Sequence, residues 1–331
     1  MKNLIYSAIV AVFALVAQFE TCAMDGEQWA CTDVSADLPI GQLSKTFSIG
    51  TDKYAFDYKR GQVLMFAGNA FNPISPSIVD SFNTNEDHYR FCYNGTDVYT
   101  LSSVTKKLFV YHFNGNYWQD GGNPIDGMHI HWLCSDGNEI VYGLNRHTGE
   151  LKKLIGTIGD DAHWAPDVTS AFEAFSLQGG VIPNDFAWPC IDNVGNVYVL
   201  ASLGADSWLA KFNRITGTWE KFDNTHGGEH SYSDICTNGA NVYAIFEGQL
   251  VKLIGGNWAP LAAHNPEHFG YIYLGLCAYG NGLLSTAHNT AGVDEGRLVK
   301  FSKVTAAAPN DVIVIPDDDV APEPGAYFAE W

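Results

Sequence analysis

The sequence predicts an all-β protein, a β-propeller of about six four-stranded blades, and three observations carry that expectation. Five passages align on a cysteine, a glycine turn and a strand: CYNGTDVYTL from Cys92, CSDGNEIVYGL from Cys134, CIDNVGNVYVL from Cys190, CTNGANVYAI from Cys236 and CAYGNGLLST from Cys277. These cysteines stand 42, 56, 46 and 41 residues apart, close to the period of about 40–50 residues that marks propeller blades. Apolar residues alternate with polar ones, and no helical period runs beyond a few turns outside the N-terminal residues.

Each copy then reads as one blade. FDYKRGQVLMF from Phe56 fits the same frame without a cysteine and brings the total near six. Val98 and Leu101, or Val197, Val199 and Ala201, alternate as half-buried strands do. Asn94-Gly95, Asp136-Gly137, Gly195-Asn196 and Asn238-Gly239 supply the positive φ of tight hairpins. A third strand follows from Lys106, Gly149, Ser207, Gly248 and Gly296, and a fourth carries Trp118, Trp219 or Trp258. One blade cannot bury both faces, so blades must pack radially, with these aromatics filling the wedges. LSKTFSIG from Leu43 and DVIVIP from Asp311 are the candidates for closing the ring.

The chain divides into residues 1–23 as a signal peptide, 24–44 as an N-terminal segment, 45–316 as the propeller and 317–331 as an acidic, proline-rich tail. Lys2 followed by apolar Leu4 to Ala17 forms the n-region and h-region of a secretory signal. That run is too short to span a bilayer, which takes about 20 residues. Thr21 and Ala23 place cleavage before Met24. Lipid attachment at Cys22 would want small residues ahead of it, where Phe19, Glu20 and Thr21 stand. No later run is long and apolar enough to cross a membrane. The mature chain is expected to be secreted and extracellular, as a monomer or small oligomer.

The formal net charge is −19, and loss of Lys2 and Glu20 with the signal leaves it unchanged. Such a surface repels nucleic acid and anionic lipid. It tolerates cations and basic proteins.

His88 to Tyr99, HYRFCYNGTDVY, and Phe212 to Trp219, FNRITGTW, resemble the kelch repeat: a first strand bearing His, an apolar second strand with Tyr, and a T-G-x-W end. The resemblance spans most of residues 45–312, although the double glycine of kelch repeats is missing from every copy. It implies a propeller that serves as a binding platform more often than as an enzyme.

Seven cysteines become six once Cys22 leaves with the signal. Cys92, Cys134, Cys190, Cys236 and Cys277 share one repeat position, so they sit at similar depth on successive inner strands. Either they are small residues filling a narrow centre, or some bridge between blades, which needs Cα atoms within about 7 Å. Cys31 lies outside the repeats and would have to pair with one of them or with another chain.

Carboxylates and imidazoles recur just before these cysteines: Glu86, Asp87 and His88; Asp126 with His129 and His131; Asn184 and Asp185; Glu229 and His230; Glu267 and His268. In a radial arrangement they converge on one mouth of the central channel, where propellers carry function on loops. Asp87, His88, Asp126, Asp185, Glu229, His230, Glu267 and His268 are therefore the candidate ligand-binding residues. His129, His131 and His230 are the candidate metal ligands, since imidazole with carboxylate suits a divalent transition metal. Against this, a rim histidine can serve as a hydrogen-bonding group alone, and the His-to-Cys spacing varies from three to nine residues.

Asn94-Gly95-Thr96 is a glycosylation sequon that coincides with a hairpin turn. Trp164 and Trp188 lie off the regular tryptophan position and could stack on sugar rings. No GxSxG elbow, HExxH, phosphate-cradling loop or EF-hand series occurs. Two functions remain: an extracellular recognition module binding a glycan, a matrix protein or a cation-rich surface, or a metal-dependent enzyme with its site at the channel mouth. Repeated site elements without a nucleophile favour recognition.

Overall fold

The computed structural model describes residues 28–39, 43–57, 60–67, 70–78, 91–102, 104–105, 107–122, 130–137, 139–168, 170–177, 183, 185–203, 206–222, 232–246, 249–261, 271–289 and 295–304. These form six antiparallel sheets of four strands and one short helix. The first sheet holds β2 (Leu43–Ile49), β3 (Asp52–Asp57), β4 (Gln62–Ala67) and β5 (Ala70–Pro73). The second holds β6 (Phe91–Tyr93), β7 (Asp97–Leu101), β8 (Leu108–His112) and β9 (Tyr117–Asp120). The third is β10 (Ile130–Ser135), β11 (Val141–Asn145), β12 (Leu151–Ile155) and β13 (His163–Val168). The fourth is β14 (Asp185–Ile191), β15 (Val197–Leu203), β16 (Asp206–Asn213) and β17 (Thr218–Phe222). The fifth is β18 (Tyr232–Asn238), β19 (Asn241–Phe246), β20 (Gln249–Ile254) and β21 (Asn257–Pro260). The sixth combines β22 (Tyr271–Tyr279), β23 (Gly282–Asn289) and β24 (Glu295–Val304) with β1 (Gln28–Pro39).

The innermost strands β2, β6, β10, β14, β18 and β22 contact one another in succession, and β22 returns to β2. This is a closed six-bladed β-propeller. Hairpin turns order each blade, and Gly95 shows why glycine is needed there. Its φ is +100°, and a Cβ would stand 2.7 Å from the Gly137 carbonyl of the next blade.

The ring closes through β1, whose Gln28 lies opposite Val304 and whose Pro39 lies opposite Glu295 of β24. The closing strand thus lies within residues 24–44, the stretch read from sequence as a separate segment. Leu43 begins the innermost strand of the first blade instead, and Asp311 lies outside the described residues. The physical reason is a pair of register shifts, between Asp33 and Ser35 and between Ser35 and Leu38. They break the alternation by which a strand is recognised.

The registered cysteines occupy one ladder position. Cys92, Cys134, Cys190 and Cys236 stand opposite Tyr99, Tyr142, Tyr198 and Tyr243, Cys277 stands opposite Leu284, and Phe47 takes the place opposite Tyr54 in the first blade. Each cysteine belongs to the apolar cluster that joins its own blade to the next: Cys92 with Ile130 and Leu133, Cys190 with Ile235, Cys236 with Leu276. Near the axis the blades converge, and cysteine fills this position in five blades while the buried Phe47 fills it in the first. All six described cysteines carry thiols and none is in a disulfide. The bridging alternative is thereby set aside: the ring cysteines are directed into the next blade's aliphatic residues, and Cys31 lies opposite Phe301 on the outermost strand of its blade.

The long interval between Cys134 and Cys190 is explained by an inserted helix, α1 (Ala171–Leu177). Ser170 caps it, its hydroxyl accepting the Glu173 N–H at 3.3 Å. Ala171 and Phe175 bury against the cluster containing Phe186 and Trp219. Trp219 and Trp258 fill wedges as expected, and the Trp118 Nε1 donates across a seam to the Pro76 carbonyl at 2.9 Å. Trp164 is 1% exposed and packs with Leu108 and Ile130. It is a core residue and offers no face to a sugar. Among the described residues no helix is long and apolar enough to cross a membrane.

Candidate functional site

The four-strand meander gives the propeller two unlike faces. On one, which we call the turn face, the first strand of each blade turns into the second and the third into the fourth. On the other, the mouth face, the innermost strands begin. Irregularities interrupt the inner strands toward the mouth: between Leu43 and Thr46, Ile130 and Trp132, Ala187 and Cys190, Tyr232 and Asp234, and Leu274 and Cys277. Bulges re-aim side chains and break the two-residue period. They also account for the uneven spacing between mouth residues and the cysteine ring.

His131 sits at one of these bulges. Its Nδ1 accepts the Arg146 backbone N–H at 3.4 Å, and its ring lies 5.2 Å from that of His147 at 79°. Arg146 and His147 are presented by the turn between β11 and β12. There the Asn145 side-chain oxygen accepts the His147 N–H at 2.9 Å, while the Asn145 carbonyl accepts from Gly149 at the same distance. From this turn the Arg146 Nε and Nη2 donate to the two oxygens of Asp185, each at 2.7 Å, across the seam between the third and fourth blades. The paired side chains remain 50% and 30% exposed. The Arg146 carbonyl also accepts the Phe186 N–H at 2.8 Å. Three residues past Asp185, Trp188 adopts φ +47° directly before Pro189. A left-handed backbone is disfavoured there and costs on the order of 1–3 kcal/mol. The Trp188 ring rests 5.5 Å from that of Trp132.

Of the proposed mouth residues, the structure therefore brings His131 and Asp185 to one place. Asp87, His88, Asp126, His129, Glu229, His230, Glu267 and His268 lie outside the described residues. Arg146 and His147 escaped the sequence reading because they follow a second strand instead of preceding a cysteine. The polar turn Asn145-Arg146-His147-Thr148-Gly149, with two basic groups at its tip, was the available signal. Among the described residues no three His, Cys, Asp or Glu side chains converge to hold a metal ion.

The central channel encloses about 330 Å³ and is lined by all six inner strands, including Thr46, Cys92, Cys134, Cys190, Cys236 and Cys277. Its hydroxyls are already engaged. Thr46 donates to the Gly275 carbonyl at 2.6 Å, Ser48 to that of Ala278 at 3.0 Å and Thr237 to that of Ile191 at 2.7 Å. Behind the cysteines, burial pushes the Tyr99 hydroxyl up to about 12, with the Asp97 carboxylate adding to the effect. Burial likewise takes Tyr142 to about 12 against the opposing pull of Arg214, and raises Tyr198 further still, helped by Asp192.

The turn face is locked by hydrogen bonds between blades. The Glu139 N–H donates to the Asn94 carbonyl at 3.0 Å, and the Asn94 amide donates to the Glu139 carbonyl at 3.1 Å. Arg214 bonds the Tyr142 hydroxyl at 2.9 Å and Asp167 at 2.6 Å. Asn238 donates to the Gly280 and Gly282 carbonyls. Asn94 is 2% exposed, and its side-chain oxygen accepts from both Thr96 and Asp97. An amide used in this way has no room for a glycan, so the sequon functions as a turn lock.

No protein-family model matches the chain, and no curated protein matches its sequence. The kelch resemblance accordingly rests on the quoted residues alone. Solved structures do match in shape. A streptogramin B lyase aligns over 83% of this chain and 98% of its own, with 9% identity and a TM-score of 0.52. A catalytically inactive virginiamycin B lyase from Staphylococcus aureus with quinupristin aligns over 84% and 100%, with 7% identity and a TM-score of 0.52. A PQQ-bound aldose sugar dehydrogenase from Streptomyces coelicolor aligns over 84% and 99%, with 10% identity and a TM-score of 0.51. At these identities the likeness concerns the propeller fold only.

Proposed function

We propose that this protein is a secreted recognition module that binds a glycan or protein ligand outside the cell through its mouth face. The observation that carries this reading is the contrast between the faces. On the turn face Asn94, Arg214 and Asn238 are committed to holding blades together, and the channel presents thiols and engaged hydroxyls. The mouth face instead offers the half-exposed Arg146–Asp185 pair beside His131 and His147. A planar guanidinium and two imidazoles supply directional donors and acceptors for a polar ligand, next to a strained tryptophan. The N-terminal signal supports secretion, and a start at Met24 in the secreted product would test it.

Binding is tested on arrays of glycans and extracellular matrix proteins with the wild type and an Arg146→Ala, Asp185→Ala double variant. Loss of about tenfold or more in affinity for the wild-type ligand is the expected result. Equal binding by the double variant, with unchanged folding, would move the site elsewhere.

A further inference from the structure

The hairpin between β22 and β23 lies on the turn face and is bonded to the blades on either side. Tyr279 stands opposite Gly282, so Gly280 and Asn281 form a two-residue turn. Gly280 takes a φ of +53°, and a Cβ on Gly282 would run into the Phe301 carbonyl of β24. Packing therefore requires a glycine directly after Asn281. The Asn238 amide of the fifth blade donates to the Gly280 and Gly282 carbonyls at 3.2 and 3.0 Å. On the other side, the Tyr279 hydroxyl donates to the Thr51 carbonyl of the first blade at 3.1 Å.

Four Asn-Gly pairs occur in the chain, at Asn94, Asn114, Asn238 and Asn281. An asparagine followed by glycine closes a five-membered ring readily, because glycine has no Cβ to obstruct the approach of its nitrogen to the side chain. Hydrogen bonds on the asparagine amide oppose this. Asn94 is buried with both ends of its amide bonded, and Asn238 has its nitrogen held by two carbonyls. Asn281 is exposed, and among the described residues nothing bonds its side chain. Asn114 is exposed as well, but among the described residues no hydrogen bond from a neighbouring blade reaches its turn.

We infer that Asn281 is a site of spontaneous modification, converting with time to aspartate and isoaspartate, and that the isoaspartate form loosens the sixth blade from its neighbours. The Gly282 nitrogen gives up its proton and attacks the Asn281 Cγ. The N–Cγ bond forms, the Cγ–Nδ2 bond breaks, and Nδ2 leaves as ammonia with the released proton. Solvent water then adds to one of the two carbonyls of the succinimide, and the ring opens to aspartate or isoaspartate without oxidation or reduction. In isoaspartate the backbone runs through Cβ. This adds one methylene between the Gly280 and Gly282 carbonyls, which a single Asn238 amide now bonds together. It also lengthens the turn that sets Tyr279 against Thr51.

The test incubates the full chain at mildly alkaline pH, which favours loss of the backbone proton, and maps its peptides over time, scoring isoaspartate by enzymatic carboxyl methylation. Asn281 should convert about tenfold or more faster than Asn94 and Asn238, whose amide hydrogen bonds must first break. The urea midpoint of unfolding should fall in step with the isoaspartate fraction at position 281. Asn281→Gln, whose longer side chain would need a six-membered ring, should lose both changes, and Asn281→Ser replaces it if it does not fold. Asn114→Gln should leave the fall in midpoint in place. Conversion at Asn281 no faster than at Asn94, or an isoaspartate-bearing chain with the midpoint of fresh protein, would overturn the inference.

Discussion

The Asp234 carboxylate reaches from the fifth blade to the sixth and accepts the Leu276 backbone N–H at 2.8 Å. Its other oxygen accepts the Ile235 N–H at the same distance. Asp234 is 1% exposed. A buried carboxylate is tolerated only when its oxygens are bonded, and bonds to a charged acceptor are the stronger kind. Asp234→Ala would leave both N–H groups unbonded and should destabilise the protein by about 3 kcal/mol. The urea midpoint of unfolding reads this directly, and a midpoint within error of wild type would show that the bonds are replaceable.

Asn94 makes a second prediction. Its amide closes its own hairpin and ties the second blade to the third. Asn94→Ala should cost about 2 kcal/mol, whereas Asn94→Asp keeps the acceptor for Thr96 and Asp97 and should cost less. Protein recovered folded from a glycosylating secretory host should show no glycan mass at Asn94. A folded, fully glycosylated product would contradict the burial of that amide.

The thiol ring makes a third. Denatured protein without reductant should take up six alkyl groups in its mature form, one at each of Cys31, Cys92, Cys134, Cys190, Cys236 and Cys277. In the native state Cys92, Cys134, Cys190 and Cys236 should react slowly, because they are buried. Intact mass after timed alkylation distinguishes the two pools.

Alkaline stability makes a fourth. Tyr99 and Tyr142 titrate near 12 in the folded chain and near 10 when exposed. Between these values the unfolded state releases the protons that the folded state retains, so stability falls as pH rises. Below pH 10 these groups are protonated in both states and their contribution is fully present. Unfolding midpoints should therefore be insensitive to these tyrosines up to about pH 9.5 and decline steeply toward pH 12. A tyrosinate absorbance accounting for every tyrosine by pH 11, in folded protein, would refute the assignment.

Much of the ring was legible in the sequence because turn chemistry and strand alternation report on local geometry. Asn238-Gly239 marks its hairpin, and the recurring Cys-to-Tyr interval encodes a cross-strand pair in four successive blades. The closing strand was not legible. Trp29 and Cys31 begin an alternation that the irregularities after Asp33 erase, and its partner lies at the far end of the chain. At the site, Asp185 and His131 were found because they precede ring cysteines. Arg146 and His147 were missed because their meeting with Asp185 depends on a seam between blades. Blade order follows sequence order, but no local pattern reports which turn residues meet across a seam.

The pairing of β1 with β24 also has a kinetic side. Gln28 and Val304 are brought together only after the intervening blades have curved the chain back on itself. Contacts of such wide sequence separation carry the largest loop-closure entropy and slow folding. Closure is then a late event, and until it occurs the sixth blade has an unpaired strand edge. An open edge of this kind is a template for a second chain. The vulnerable species is therefore the nearly complete propeller, and concentration during that interval should decide between a closed monomer and strand exchange.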